Sequence, residues 1–318
     1  MLAPIVLFVY NRPFHTRQTL EFLSRNELAD DSLLYVFADG PKENASVEQL
    51  KNIREVRELI HKISGFKEVY IEESACNKGL ANSVIAGVSK VVEKYGKVIV
   101  VEDDIATNKF FLRYMNDALE KYSNYKEIYS VGGANYNFHI PKIYLKKHDT
   151  YIVHRAETWG WGTWKRCWFD VDWNVEDFDE FACDRREIHK FNRGGTDMFP
   201  MLNAQLNGEI DSWGIRWDYH LYKHNACCIR PCKSFVKNIG LDNTGIHCGF
   251  IDVDDFMASQ YDSPTYEIRF DDKIAICNRI ARSFKKFHGT SWQESIDEIK
   301  AKGKQLTKKL LRYVGLLK

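Results

Sequence analysis

Three consecutive carboxylates, Glu102, Asp103 and Asp104, are the residues of this chain best suited to chemistry. They follow Lys97-Val98-Ile99-Val100-Val101, an apolar β-branched run that reads as a strand buried on both faces. Inside such a layer an unpaired carboxylate is expensive. The acids must therefore stand where the strand leaves the sheet, which in open α/β sheets is where ligands bind. A hard divalent cation bridging a diphosphate would satisfy them, because such ions take oxygen ligands and complete their shell with phosphate. The competing reading is that the acids cap the next helix and hold no metal.

Other polar groups recur at the ends of apolar runs. Pro4 to Tyr10 reads as a first buried strand that ends in the turn Asn11-Arg12-Pro13. Leu33 to Ala38 is a second, ending in Asp39-Gly40-Pro41, and Glu68 to Glu72 a short third, followed by Asn77-Lys78-Gly79. Helical periodicity fills the gaps, over Thr16 to Arg25, Val47 to Ile63 and Gly79 to Tyr95. Strands alternating with helices imply right-handed crossovers and a mostly parallel sheet. Taken singly, Arg12, Asp39 and Lys78 are ordinary turn chemistry. Together they converge on the edge that carries the acids.

After the acids, Asn108 to Tyr122 reads as a helix and Ile128 to Gly132 as a strand. Asn135 to Asp149 reads as an irregular aromatic loop, and Met198 to Asn207 as a further helix. In Glu157-Thr158-Trp159-Gly160-Trp161-Gly162-Thr163-Trp164 the glycines let backbone pass close to a ligand while flat rings stack on a sugar face. An aromatic core with tight turns is the alternative. Two aspartates follow in Asp211-Ser212-Trp213-Gly214-Ile215-Arg216-Trp217-Asp218, and a glycine-rich segment ends at His247.

Tyr10-Asn11-Arg12-Pro13, Asp39-Gly40, Asn77-Lys78-Gly79-Leu80 and Glu102-Asp103-Asp104, in this order, resemble the nucleotide-sugar glycosyltransferases of the GT-A fold. The Glu-Asp-Asp form is similar to the N-acetylglucosaminyltransferases that initiate complex N-glycan branching. The resemblance covers roughly residues 4 to 250. It implies a Rossmann-like α/β fold, a mostly parallel twisted sheet flanked by helices, and a C-terminal helical tail. It also implies an inverting transfer from a nucleotide-diphosphate donor, a UDP-sugar, to a hydroxyl of a saccharide or lipid-linked acceptor, assisted by Mn²⁺ or Mg²⁺. In that scheme Arg12 meets the donor phosphates, Asp39 the uracil, Asp103 the ribose or donor sugar, and Asp104 the metal, with Lys78 among the donor-binding residues. Gly160 and Trp161 line the donor site. Asp218, preceded by Trp217, stands where the family has its catalytic base; Asp211 competes for that role. His247 matches a loop histidine that reaches the metal or pyrophosphate.

Composition narrows the alternatives. A chain of 318 residues, 44% hydrophobic, can bury a sizeable core as one large or two small domains. The expected division is a nucleotide-sugar-binding half (1–105), an acceptor-binding and catalytic half (106–250) and an extension (251–318). A net charge of +1 gives no general affinity for nucleic acid. Neither G-x-G-x-x-G nor a P-loop is present, which argues against dinucleotide and P-loop enzymes. A nucleotidyltransferase would share the sheet and the acids but lacks here its basic, glycine-rich first loop. A carbohydrate-binding protein would use the tryptophans and leave the acids idle. No signal peptide or run of about 18 apolar residues is seen, and the eight cysteines are expected reduced, in a cytoplasmic protein. From Lys300 to Lys318 there are seven lysines or arginines and no acid, with Leu306, Leu310, Val314 and Leu317 on one helical face. Such a helix either lies on an anionic membrane surface or packs on the protein with a solvated basic face.

Overall fold

The computed structural model describes residues 1–242 and 257–289. His247 and the basic tail 300–318 lie outside the described residues.

Strand β1 (Ile5–Val9) is apolar and buried at every position, as suits a central strand of a sheet covered on both faces. On one side is β2 (Leu33–Ala38), with β3 (Glu68–Glu73) beyond it; on the other is β4 (Lys97–Glu102). The polar sequence and exposed pattern of β3 suit the edge of the sheet. The crossovers are α1 (Pro13–Ser24), α2 (Val47–Ile60) and α3 (Leu80–Tyr95). Helix α1 starts three residues earlier than periodicity suggests, since Pro13 occupies a first-turn position where its missing N–H costs nothing. Arg12 is therefore the residue that opens a helix. Chain order β3-β2-β1-β4 reverses direction between β1 and β4, and such a switch point leaves a crevice at the strand ends.

Four more strands extend the same sheet past residue 105: β6 (Ile128–Gly132), β7 (Thr150–Val153), β8 (Trp161–Trp164) and β9 (Cys227–Pro231). The full order is β3-β2-β1-β4-β8-β6-β9-β7. Strands β7 and β8 run antiparallel to their neighbours, and the other six point one way. The tryptophan-glycine stretch is thus largely a strand, hydrogen-bonded between β4 and β6, with Trp161 opposite Val100. A second, two-stranded ribbon pairs β5 (Ile105–Thr107) with β10 (Val236–Asn238), setting Asn238 opposite Ile105. That pairing carries the chain after β10 back over the acids.

Helix α4 (Phe111–Lys121) lies under the middle of the sheet with Phe111, Leu112, Met115, Ala118 and Leu119 buried. The expected loop 135–149 contains one helical turn, α5 (Lys142–Leu145). Short helices α6 (Lys165–Trp168), α7 (Phe178–Cys183), α8 (Arg185–Phe191) and α9 (Met198–Leu206) lead to α10 (Trp213–Lys223). The last four share a small apolar cluster built from Phe181, Phe191, Met198, Leu202, Ile215 and Tyr219. Residues 257–289 return to the main core, where Ile280 and Phe284 are buried and Tyr261 stacks on Phe235. No helix among the described residues is long and apolar enough to cross a membrane.

Candidate active site

The register aligns the ends of the central strands. Val9 pairs with Ala38 and Phe8 with Glu102, so the residues after β1, β2 and β4 emerge side by side. Arg12 comes from the first, Asp39 from the second, Asp103 and Asp104 from the third.

Asp103 and Asp104 are buried, 6% and 8% exposed. Both pair with one guanidinium. Arg12 Nη2 donates to Asp103 Oδ1 and, at 2.7 Å, to Asp104 Oδ2. Burial works against the Arg12 charge, but the two carboxylates outweigh it and raise its pKa. Arg12 Nη1 is buried without a hydrogen-bond partner among the described residues. Glu102, at the end of the strand, is half-buried. Burial first, then Asp104 and Asp103, push its carboxyl up to about 8.

The ribbon seals this corner from above. Ile239 N donates to the Asp104 carbonyl at 2.8 Å. A Cβ on Gly240 would lie 2.3 Å from Asp104 Oδ2 and 2.8 Å from Arg12 Nη1, so only glycine permits the approach. From α1, Thr19 Oγ1 donates to the Asp103 carbonyl at 2.8 Å. His15 Nε2 lies 3.1 Å from Asp242 Oδ2.

A divalent cation fits this corner only with help from a ligand. Two adjacent carboxylates supply hard oxygens, yet no group of three metal-ligating side chains exists among the described residues. That donor set suits a cation sharing its shell with phosphate and water. Arg12 now neutralises the same oxygens.

Asp39 is occupied locally. Its Oδ1 accepts from Gly40 N and Lys78 N, both at 2.9 Å, and its Oδ2 from Asn77 Nδ2 at 2.9 Å and Gly79 N at 3.2 Å. The carboxylate thus folds the 77–79 turn against β2, and Gly79 (φ +80°) opens α3. Asp211 stands opposite: a Cβ on Gly79 would lie 3.5 Å from Asp211 Oδ2. Asp211 is exposed and precedes Ser212, whose hydroxyl caps α10 by accepting from Ile215 N at 3.4 Å.

Asp218 lies within α10 and is 6% exposed. Its Oδ1 accepts from Ala156 N at 2.6 Å, and Arg155 Nε is 3.9 Å from Oδ2. Burial pushes its pKa up to about 7, against the pull of Arg155 and the Ala156 N–H. One of its oxygens is thus engaged by backbone, whereas Asp211 is exposed.

Trp161 is wholly buried, and its ring stacks on Trp213 with centroids 4.9 Å apart. It packs beneath the crevice and presents no face for a sugar. Gly160 (φ +64°) is held by Phe111 and Val236, either of which a side chain would strike. Trp159, the residue before Gly160, is half-buried.

Sequence reasoning passed over a buried charge network beside these residues. Arg230 Nη1 pairs with Glu157 Oε2 at 2.5 Å, both side chains 1% exposed. Glu157 Oε1 accepts from Tyr136 Oη and Thr158 N at 2.9 Å and from Trp159 N at 3.1 Å. Arg155 Nη1 donates to both Asp197 oxygens at 2.8 Å. The signal was present: Arg230 interrupts an apolar strand, where a lone charge needs a partner.

No protein-family profile matches the chain, and no curated protein matches it either. Among solved structures it is similar to S. aureus TarS, at 10% identity over 74% of this chain and 36% of that one, with a TM-score of 0.37. It is likewise similar to TarS 1–349, at 11% identity over 74% of this chain and 60% of that one, with a TM-score of 0.39. The chain therefore spans less than two-thirds of either structure's length. Likeness at this level does not reach to activity.

Proposed function

We propose that the chain is a metal-dependent glycosyltransferase that moves a sugar from a nucleotide-diphosphate donor to an acceptor hydroxyl with inversion. The observation that carries this reading is the meeting of Arg12 with Asp103 and Asp104 at the β1/β4 switch point. A cation-binding oxygen pair and a phosphate-binding guanidinium there share one crevice.

Each residue has work to do in that scheme. Arg12, with its free Nη1 and a fork suited to phosphate, would meet the donor's diphosphate. Asp104 and Asp103 would then hold Mn²⁺ or Mg²⁺, which would supply neutralisation of charge on the leaving nucleotide. Asp39 shapes the base pocket by fixing the Lys78-Gly79 turn, and a uracil would be read beside it. Asp211 is exposed across the crevice from Gly79 and takes the proton from the acceptor hydroxyl. A general base has to be within reach of its proton before its pKa matters. On that ground the exposed Asp211 is preferred to Asp218, whose Oδ1 holds the Ala156 N–H.

Titration calorimetry of UDP with and without Mn²⁺ tests the reading. Wild type should bind UDP more tightly with the metal, and Asp104→Asn should lose that increment while melting normally. Unchanged metal-dependent affinity in the variant would sink the assignment of Asp104. A screen of nucleotide sugars for metal-dependent hydrolysis would then name the donor.

A further inference from the structure

Far from the β3 edge, the other end of the sheet carries a surface that the transfer reaction does not use. Residues 137–148 contain Lys142, Lys146 and Lys147 and no acid, and residues 273–288 contain five lysines or arginines and no acid. The two segments meet: Tyr144 and Lys147 line a shallow cavity together with Cys277 and Arg279. Lys142, Lys146, Lys147, Arg279 and Arg282 are exposed, and none has an ion-pair partner among the described residues. Between the lysines, Ile143 is 66% exposed and Leu145 42%.

The helical turn is held so that these two side chains face outward. Tyr144 turns in, donating from Oη to the Thr150 carbonyl at 3.0 Å and stacking on His148 with centroids 4.3 Å apart. His148 is fixed by Asp271 at 2.9 Å. Two aliphatic side chains displayed on a rigid turn among unpaired cations are costly in water and suited to an interface.

We propose that α5 and the basic face of residues 273–286 dock on an anionic lipid bilayer, with Ile143 and Leu145 inserted at the headgroup level. A soluble polyanion would use the lysines but leave the aliphatic pair in water. A second copy of this chain would bring the same charge to the same place. Topology gives the contact a use. Thr150, which begins β7, pairs with Pro231 at the end of β9, so the patch lies on the sheet edge that also carries the crevice. Four strand spacings, about 19 Å, separate β7 from β4.

Vesicle sedimentation of the full chain tests this without reference to activity. Wild type should sediment with equimolar phosphatidylglycerol and phosphatidylcholine and remain in solution with phosphatidylcholine alone. Near an anionic surface each lysine contributes enough that Lys142→Ser/Lys146→Ser/Lys147→Ser should weaken binding on the order of 100-fold. Ile143→Ser/Leu145→Ser should weaken it about tenfold or more, from lost apolar burial. Should the triple variant melt early, Lys147→Glu serves in its place, since it reverses one exposed charge. Failure of wild type to sediment overturns the proposal, as does sedimentation of all variants equal to wild type. Loss in the lysine variant alone, with Ile143→Ser/Leu145→Ser unaffected, also overturns it and marks the patch as a polyanion site.

Discussion

Asp211, just before the cap of α10, and Asp218, within that helix, differ in almost everything that decides a residue's role. Asp211 is exposed at the mouth of the crevice; Asp218 is sealed in and holds a backbone N–H. Removing a general base typically costs about 10²–10⁴-fold in rate. Asp211→Asn should therefore lower kcat by that factor and leave the affinity for UDP near wild type, as steady-state kinetics beside calorimetry would read. Asp218→Asn keeps the hydrogen bond to Ala156 N and should leave kcat within a few-fold. The reverse pattern would restore Asp218 to the chemistry. Preceding tryptophan and position in the chain favoured Asp218 on sequence grounds. What they do not encode is that α10 turns this residue inward, because exposure depends on the packing of α10 against residues 155–158.

At the scale of elements, the first four strands and their crossovers were legible because each apolar run is continuous and each helix has a clear period. Strand β2 was read with the limits it has, Leu33–Ala38. Beyond residue 132 the signals fade for a physical reason. Strand β8 is four residues long, half of them tryptophan, and its glycine hides the apolar run. Helix α10 is masked because aromatic residues cover most of its faces, leaving little polar contrast. Strand β9 carries the buried Arg230, which looks out of place until Glu157 is set against it. That ion pair ties β9 to the segment leading into β8 and fixes the backbone at Thr158 and Trp159. Removing one partner of a buried pair strands the other charge and costs about 3–5 kcal/mol. Arg230→Met should lower stability by that amount in denaturant unfolding, and Arg230→Met/Glu157→Gln should recover part of it. Equal melting of wild type and Arg230→Met would show the pair to be solvated after all.

For the molecule as a whole, the buried carboxyl of Asp218 ties stability to pH. Its folded-state pKa, about 7, lies above the ordinary value of 3.8, so the native state holds the proton more tightly than the unfolded chain does. The contribution is fully present below about pH 4 and is lost as pH rises through 7. Between those limits the melting temperature of Asp218→Asn should therefore vary less steeply with pH than that of wild type. Parallel slopes in calorimetric scans across this window would contradict the assignment. The single sheet crossing residue 105 also means that the two expected halves are joined by backbone hydrogen bonds, through the pairing of β4 with β8.

That same pairing dictates an order of assembly. The parallel unit β1 to β4 is complete once residue 102 has left the ribosome, but the outer edge of β4 waits for residues 161–164. At about 5–20 residues per second the wait lasts several seconds. During it, Val98, Ile99, Val100 and Val101 present unpaired backbone and β-branched side chains at an open strand edge, the kind of surface on which nascent chains associate. Strand β8 must then enter between β4 and β6, so the edge closes only when the later half of the chain is already being gathered. For a nascent chain of this design, the vulnerable moment falls in the middle of its synthesis.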